Sequence, residues 1–191
     1  MARGTTPRSH RSCVDASKAG LGGDYNFVET ILDGRYYLPL GQRAVVAVKA
    51  RGGSIGAVRG DNLRVPFFRR YFLGGATSLR GWGRFEVSPL FEGITIGGHT
   101  MFESSAELRL PIWRSLSGVL FADAGNVWND AWAFNLGDLR KDVGPGLRYM
   151  TPIGPLRFDL GYQLNPIPGL LIDGKEQTRR IRFHFSIGQA F

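Results

Sequence analysis

The chain has 191 residues, 43% of them apolar, with 27 glycines and 12% Phe, Tyr and Trp. That length and apolar content exclude a disordered protein. No stretch approaches about 18 consecutive apolar residues, which excludes a transmembrane helix. An excess of 24 Lys and Arg over 16 Asp and Glu admits nucleic acid or an anionic membrane surface as partner without choosing between them, and a single cysteine, Cys13, excludes an intrachain disulfide.

Residues 1–22 are basic and polar and lack the apolar run of a secretory signal. They read as a disordered tail, or as sequence that precedes the domain in a longer protein, so the domain is placed at residues 23–191. From there the pattern has period two. In Asn26–Leu38, Val28, Thr30, Leu32, Tyr36 and Leu38 share one face and Glu29, Asp33 and Arg35 the other. In Arg43–Arg51, Val46 and Val48 oppose Arg43, Lys49 and Arg51. In Met101–Leu110, Phe102, Ala106, Leu108 and Leu110 oppose Glu103, Ser105, Glu107 and Arg109. Leu116–Trp128 and Val143–Thr151 alternate more loosely. In Leu156–Leu164 the apolar set is Leu156, Phe158, Leu160, Tyr162 and Leu164, against Arg157, Asp159 and Gln163. In Ile181–Phe191, Ile181, Phe183, Phe185, Ile187 and Phe191 oppose Arg182, His184, Ser186 and Gly188. Such alternation predicts about seven strands, each with an apolar and a polar face, and no helix.

Alternation alone fits a soluble sandwich as well. The connections favour a membrane barrel. Short, proline-bearing links (39–42, 111–115, 152–155) alternate with long ones (57–100, 129–141, 165–178). An up-and-down barrel has short turns at one end and long loops at the other, and strands of about ten residues suit a tilted membrane crossing. The predicted fold class is all-β: an antiparallel up-and-down transmembrane β-barrel, represented by about seven of its strands, with residues 57–100 as a long external loop. So few strands do not enclose a lumen wide enough for that loop, so the chain is expected to be a fragment or to pair with others.

Several chemical signals fail. Gly-Ser-Ile-Gly at 53–56, preceded by Gly52, matches the nucleophile-elbow pattern around Ser54, but no helical period follows it. His10, His99 and His184 are scattered, with no metal-ligand spacing. Arg157 and Asp159 share a face and read as a lumen ion pair rather than an acid/base pair. Arg69-Arg70 among Phe67, Phe68 and Tyr71 suits nucleic acid or a loop packed inside a barrel equally well. No enzyme activity, metal or cofactor is expected, and no nucleic-acid partner.

The stretch Gly74-Gly75-Ala76-Thr77-Ser78-Leu79-Arg80-Gly81-Trp82 places glycines beside a cation. A phosphate loop needs Lys and Ser or Thr at a helix start, whereas Gly81, Trp82 and Gly83 follow here. Tight reversal of a loop is the better use of the glycines. FFRRYFLGGATSLRGW (67–82) resembles the sixth external loop of the BamA/TamA outer-membrane assembly-factor superfamily, with Leu79, Arg80, Gly81 and Trp82 at its hydrophobic-Arg-Gly-aromatic motif. SSAELRLP (104–111), FADAGNVW (121–128), GLRYMTPIGPLRFDLGYQLN (146–165) and the closing IRFHFSIGQAF are similar to that family's last strands, in order.

The resemblance implies the C-terminal part of a barrel in the outer membrane of a Gram-negative bacterium or an organelle. It implies a loop tucked inside, with Arg80 meeting Glu107 and Asp123 on the inner wall. Phe183, Phe185, Ile187, Gly188 and Phe191 are then the terminal-strand signal. The implied activity is insertion or translocation of client outer-membrane or secreted proteins, with outer-membrane lipids and periplasmic assembly subunits as further partners. A membrane anchor for a larger protein, such as a patatin-like lipase, and a passive pore are the alternatives.

Overall fold

A computed structural model describes residues 9–17, 27–41, 44–57, 65–152 and 154–188. The long strands are β1 (Ser9–Ser17), β2 (Phe27–Leu40) and β3 (Ala44–Ala57). After the long loop, with its small hairpin β4 (Leu90–Phe91) and β5 (Ile94–Thr95), come β6 (Thr100–Trp113), β7 (Leu116–Trp128), β8 (Arg140–Thr151) and β9 (Gly154–Gln163). A second small hairpin, β10 (Leu171–Ile172) and β11 (Lys175–Glu176), precedes the last strand, β12 (Ile181–Ile187). The long strands form one eight-stranded antiparallel sheet in the order β1-β2-β3-β6-β7-β8-β9-β12. Apart from the loop hairpins, each strand pairs with the next in sequence, so connections are short at one end and long at the other.

The pleat sorts the side chains. On β9, Arg157, Asp159 and Gln163 are buried on one face, while Phe158, Leu160 and Tyr162 are exposed on the other. The same inversion runs through β6 and β8, where Glu103, Glu107, Asp142 and Arg148 are buried and Leu110, Val143, Leu147 and Tyr149 are exposed. A sheet with polar residues inside and apolar residues outside is the pattern of a wall facing lipid, not of a soluble sandwich.

The inner face is filled by the long loop. Leu73, Leu79, Trp82 and Val87 from the loop pack with Met101 of β6, Val127 of β7, and Ile167 and Leu170 from the β9–β12 connection. Trp82 and Leu79 are wholly buried. The loop segment touches β3, β6, β7, β9 and β12 in turn, so the sheet curves around it.

Some expectations change. Ser9–Ser17 lies within the segment read as a tail, yet it is a strand paired with β2 in the register Ser17↔Phe27 to Ser9↔Arg35. Its residues carry no apolar alternation; backbone pairing alone marks it. The sheet therefore has eight long strands rather than seven. β3 runs past Arg51 through the glycine-rich Gly52–Ala57, held between β2 and β6. Pro39 and Pro111 are strand residues, so the turns are tighter than the prolines suggested: Arg114 and Ser115 alone separate β6 from β7. Among the described residues, no pairing joins β1 to β12.

Candidate functional site

The adjacent glycines Gly74 and Gly75 have φ of +105° and +101°, a region that side-chain-bearing residues avoid. They reverse the chain so that the Gly75 amide donates to the carbonyls of Leu79 and Trp82, at 3.2 and 3.1 Å. The resulting compact turn aims its residues in two directions. Leu79 and Trp82 enter the apolar cluster, and Arg80, between them, points at the wall. The glycines thus shape the loop and do not cradle an anion.

Arg80 is 2% exposed and its partners Glu107 and Asp123 are 1% and 2% exposed. Its Nε and Nη2 donate to the two oxygens of Asp123 at 2.8 and 2.7 Å, the planar two-pronged arrangement that only a guanidinium provides. Nη1 donates to Glu107 Oε1 at 2.5 Å. Nη2 also donates to Ser105 Oγ at 3.0 Å, and that hydroxyl donates to Asp123 Oδ1 at 2.6 Å. The Arg80 amide donates to Asp123 Oδ2 at 3.2 Å, so backbone and side chain hold the same carboxylate. The ring of Phe121 lies 3.6 Å beneath the guanidinium carbon. Burial by itself would push the guanidinium's pKa down; the hydrogen bond and charge of Asp123, then the charges of Glu107 and Asp159, reverse that and raise it. Arg80 is a permanent cation in its own carboxylate cage.

The cage extends along the wall. Asp159 lies 3.9 Å from Arg80 Nη1 and pairs with Arg148 at 2.7 Å and Arg157 at 3.0 Å. Arg109 pairs with the other oxygen of Glu107 at 2.8 Å. Arg157 also donates to the Ala76 carbonyl at 3.0 Å, tying the web back to the loop. A second clamp grips the start of the turn. Lys49 donates to the Thr77 carbonyl at 2.9 Å and pairs with Glu103 at 3.1 Å, while Ser78 Oγ donates to Glu103 at 2.6 Å. The Gly81 carbonyl accepts from Gln163 Nε2 at 2.7 Å, and Gly81 itself rests against Asp142.

Sequence reasoning named Arg80, Glu107 and Asp123, and the structure brings these residues together. It left out Ser105, Phe121, Asp159, Arg148, Lys49 and Glu103 as partners of the loop. Period two put Ser105, Glu103 and Lys49 on the polar face, but nothing local says which of them the loop reaches. Arg157 and Asp159 do pair, as part of the same web. The aromatic-basic stretch divides. Phe67 and Phe68 are exposed, Arg70 donates to the Ile96 carbonyl at 3.3 Å, and Tyr71 donates to Glu29 at 2.8 Å; packing inside the barrel accounts for Tyr71 and not for the phenylalanines. Ser54 is buried, bonds Thr100 at 3.1 Å and accepts from the Trp132 amide at 2.9 Å, so it joins loop to strand.

At the other predicted site, Phe183, Phe185 and Ile187 are exposed on the outer face opposite Leu160, Phe158 and Leu156. The rings of Phe158 and Phe185 are 5.0 Å apart. Gly188, just past the strand, has φ +107° and donates to the Pro155 carbonyl at 2.9 Å. Phe191 lies outside the described residues.

Replacing Phe121 by leucine keeps apolar bulk and removes the ring face under Arg80. The expected loss is about 0.5–2 kcal/mol, read as a lower unfolding midpoint in denaturant for the protein in bilayers.

The family comparison agrees with this geometry. The Omp85 superfamily domain matches residues 8–191. The chain is 32% identical over 179 residues to the outer membrane protein assembly factor BamA of Nitratidesulfovibrio vulgaris, covering 90% of this chain and 21% of that protein. It is 25% identical over 220 residues to BamA of Neisseria meningitidis serogroup B, covering 96% of this chain and 26% of that one. The crystal structure of BamA from Haemophilus ducreyi lacking POTRA domains 1–3 superposes with a TM-score of 0.69 at 25% identity, over 85% of this chain and 35% of that chain. The chain thus spans about a quarter of the length of the curated relatives it matches. With a lipid-type outer face, an inner face filled by the loop and the Omp85 domain matching residues 8–191, the chain belongs to the Omp85 superfamily and its sheet is part of an outer-membrane barrel of the BamA type.

Proposed function

We propose that this chain is the C-terminal wall of an assembly factor that helps other proteins insert into, or cross, the outer membrane. The observation that carries the reading is the burial of Arg80 against Asp123 and Glu107 in a barrel of this superfamily. The work is mechanical, with no covalent chemistry. The apolar outer face perturbs the bilayer, and a client strand adds to an exposed edge through backbone pairing. The seated loop keeps the wall from collapsing inward while that edge is engaged. Client outer-membrane or secreted proteins, lipids and periplasmic subunits are the partners this reading requires. Phe183, Phe185, Ile187 and Gly188, with Phe191, serve as the strand signal by which this barrel itself is assembled.

The test is client folding in liposomes that contain the full-length protein. Folding of an outer-membrane barrel, followed by its shift in gel mobility without heating, is expected to be faster than in lipid alone. Equal rates would leave only the anchor or passive-pore reading. The outer face is tested separately. Arginine in place of Phe158, central on β9, is expected to destabilise the barrel by about 2–4 kcal/mol in bilayers. An unchanged unfolding midpoint would show that this face does not meet lipid.

A further inference from the structure

The connection between β7 and β8 folds back over the outer face of the wall. Period two puts Ser54, Thr100 and Trp128 in one row on that face, across β3, β6 and β7, with Gly52, Phe102 and Asn126 in the row beside it. The first row places two hydroxyls on a side that is mainly apolar, and the loop covers both. The Trp132 amide donates to Ser54 Oγ at 2.9 Å, and Thr100 Oγ1 donates to the Asp130 carbonyl at 2.8 Å. Thr100 has one hydroxyl proton, so the 3.1 Å bond between the two hydroxyls runs from Ser54 to Thr100. Ser54 and Thr100 are 1% and 0% exposed. In the second row Asn126 Nδ2 donates to the Asp138 carbonyl at 2.9 Å. Phe134 lies over Gly52, 3.9 Å from where a Cβ would stand, with its ring 5.9 Å from that of Trp128.

What the loop turns away from the wall is apolar. Trp132, Phe134 and Leu136 are 61%, 44% and 62% exposed. They alternate along residues 131–137 (AWAFNLG), which carry no charge; charges resume on either side, at Asp130, Asp138, Arg140 and Lys141. In water this arrangement would hide two hydroxyls and expose three large apolar side chains. The strands beneath it, β3, β6 and β7, are each paired on both sides, so the surface lies within the wall. It continues the lipid-facing side outward, past the last strand residues. We propose that residues 131–137 are an interfacial foot, seated among the headgroups and upper acyl chains of the external leaflet, and that Ser54 and Thr100 are the positioning residues that hold it down. Aromatic rings suit that depth, where one side is apolar and the other wet. Lys141, exposed opposite Ala124 at the same end, keeps its amine among lipid phosphates while its stem runs along the wall. The foot fixes the depth at which this wall meets the bilayer.

Spin-label accessibility on the full-length protein, in liposomes containing phosphatidylglycerol, tests the placement. Nitroxides are attached at Leu136→Cys, at Leu120→Cys on the exposed outer side of β7, and at Lys175→Cys in the exposed β10–β11 hairpin, with other cysteines replaced by serine. The label at 136 is expected to meet dissolved oxygen more readily than a water-soluble nickel chelate, as at 120, with the reverse at 175. A label at Phe134→Cys repeats the reading should the one at 136 disturb the loop. Thr100→Val should raise nickel accessibility at 136 about threefold or more and leave 120 unchanged, whereas Thr100→Ser, which keeps the hydroxyl, should move neither. Nickel accessibility at 134 and 136 equal to that at 175 would place the loop in water and overturn the proposal. Low accessibility of both positions to both reagents would mean that protein covers the loop, and would overturn it too. A label at 136 that stays put in Thr100→Val would overturn the positioning role.

Discussion

Alanine at position 80 is expected to destabilise the seated loop by about 3–5 kcal/mol, the cost of leaving buried charge without its partner. The reason is the state of what remains. Asp123 and Glu107 are almost entirely buried, and Arg80 supplies the donors that satisfy both Asp123 oxygens and one oxygen of Glu107. In its absence Ser105 and Arg148 stay near, but the first is a single neutral hydroxyl and the second, 3.4 Å from Glu107, is already committed to Asp159. Lysine at 80 keeps the charge and loses the two-pronged contact, so it should recover only part of the loss. The check is protease sensitivity of residues 74–88 in bilayer-embedded protein. Rapid cutting is expected in Arg80→Ala, slower cutting in Arg80→Lys and none in the parent on the same time scale.

The second large effect is expected where the loop meets the wall without any side chain between them. Gly161 on β9 faces inward, in register with Arg182. A Cβ at that position would overlap the Arg80 carbonyl and lie 2.7 Å from the Gly81 nitrogen. These are backbone atoms of a turn held at several points, so no rotamer change relieves the clash. Alanine at 161 is expected to cost about 1–3 kcal/mol and to push the loop away from the wall, which a change of one methyl on an open surface would not do. A cysteine placed at Ser78 should react with a water-soluble maleimide faster in the Gly161→Ala protein than in the parent. Equal rates would mean that the wall yields and the loop stays.

The two positions differ in how visible they are from sequence. Alternation exposes β2, β6, β9 and β12 because one face of each meets lipid and the other meets polar groups. It also puts Glu107 on the inner side. β7 alternates loosely for a reason that the structure supplies: Phe121 faces inward, beneath Arg80, where a polar residue was expected. β1 and the Gly52–Ala57 half of β3 were hidden because their strand identity comes from neighbours rather than from their own side chains. The wider web was hidden for a different reason. Whether Asp159 reaches Arg80, or Glu86 reaches Arg182, depends on the relative register of β7, β8, β9 and β12 and on where the loop comes to rest, and no local period encodes that. Asp123 was found only through resemblance, since β7's own pattern does not single it out.

Seating of the loop rests on the guanidinium of Arg80 and the carboxylate of Asp123 acting as one energetic unit, which a double-mutant cycle measures directly. Unfolding free energies of the parent, Arg80→Ala, Asp123→Ala and the double variant, all in bilayers, give the coupling. Losing both partners should be far less damaging than the two single losses added together, with a coupling of about 3 kcal/mol. Additive losses, with a coupling within about 0.5 kcal/mol of zero, would show that the loop is held by something other than this pair.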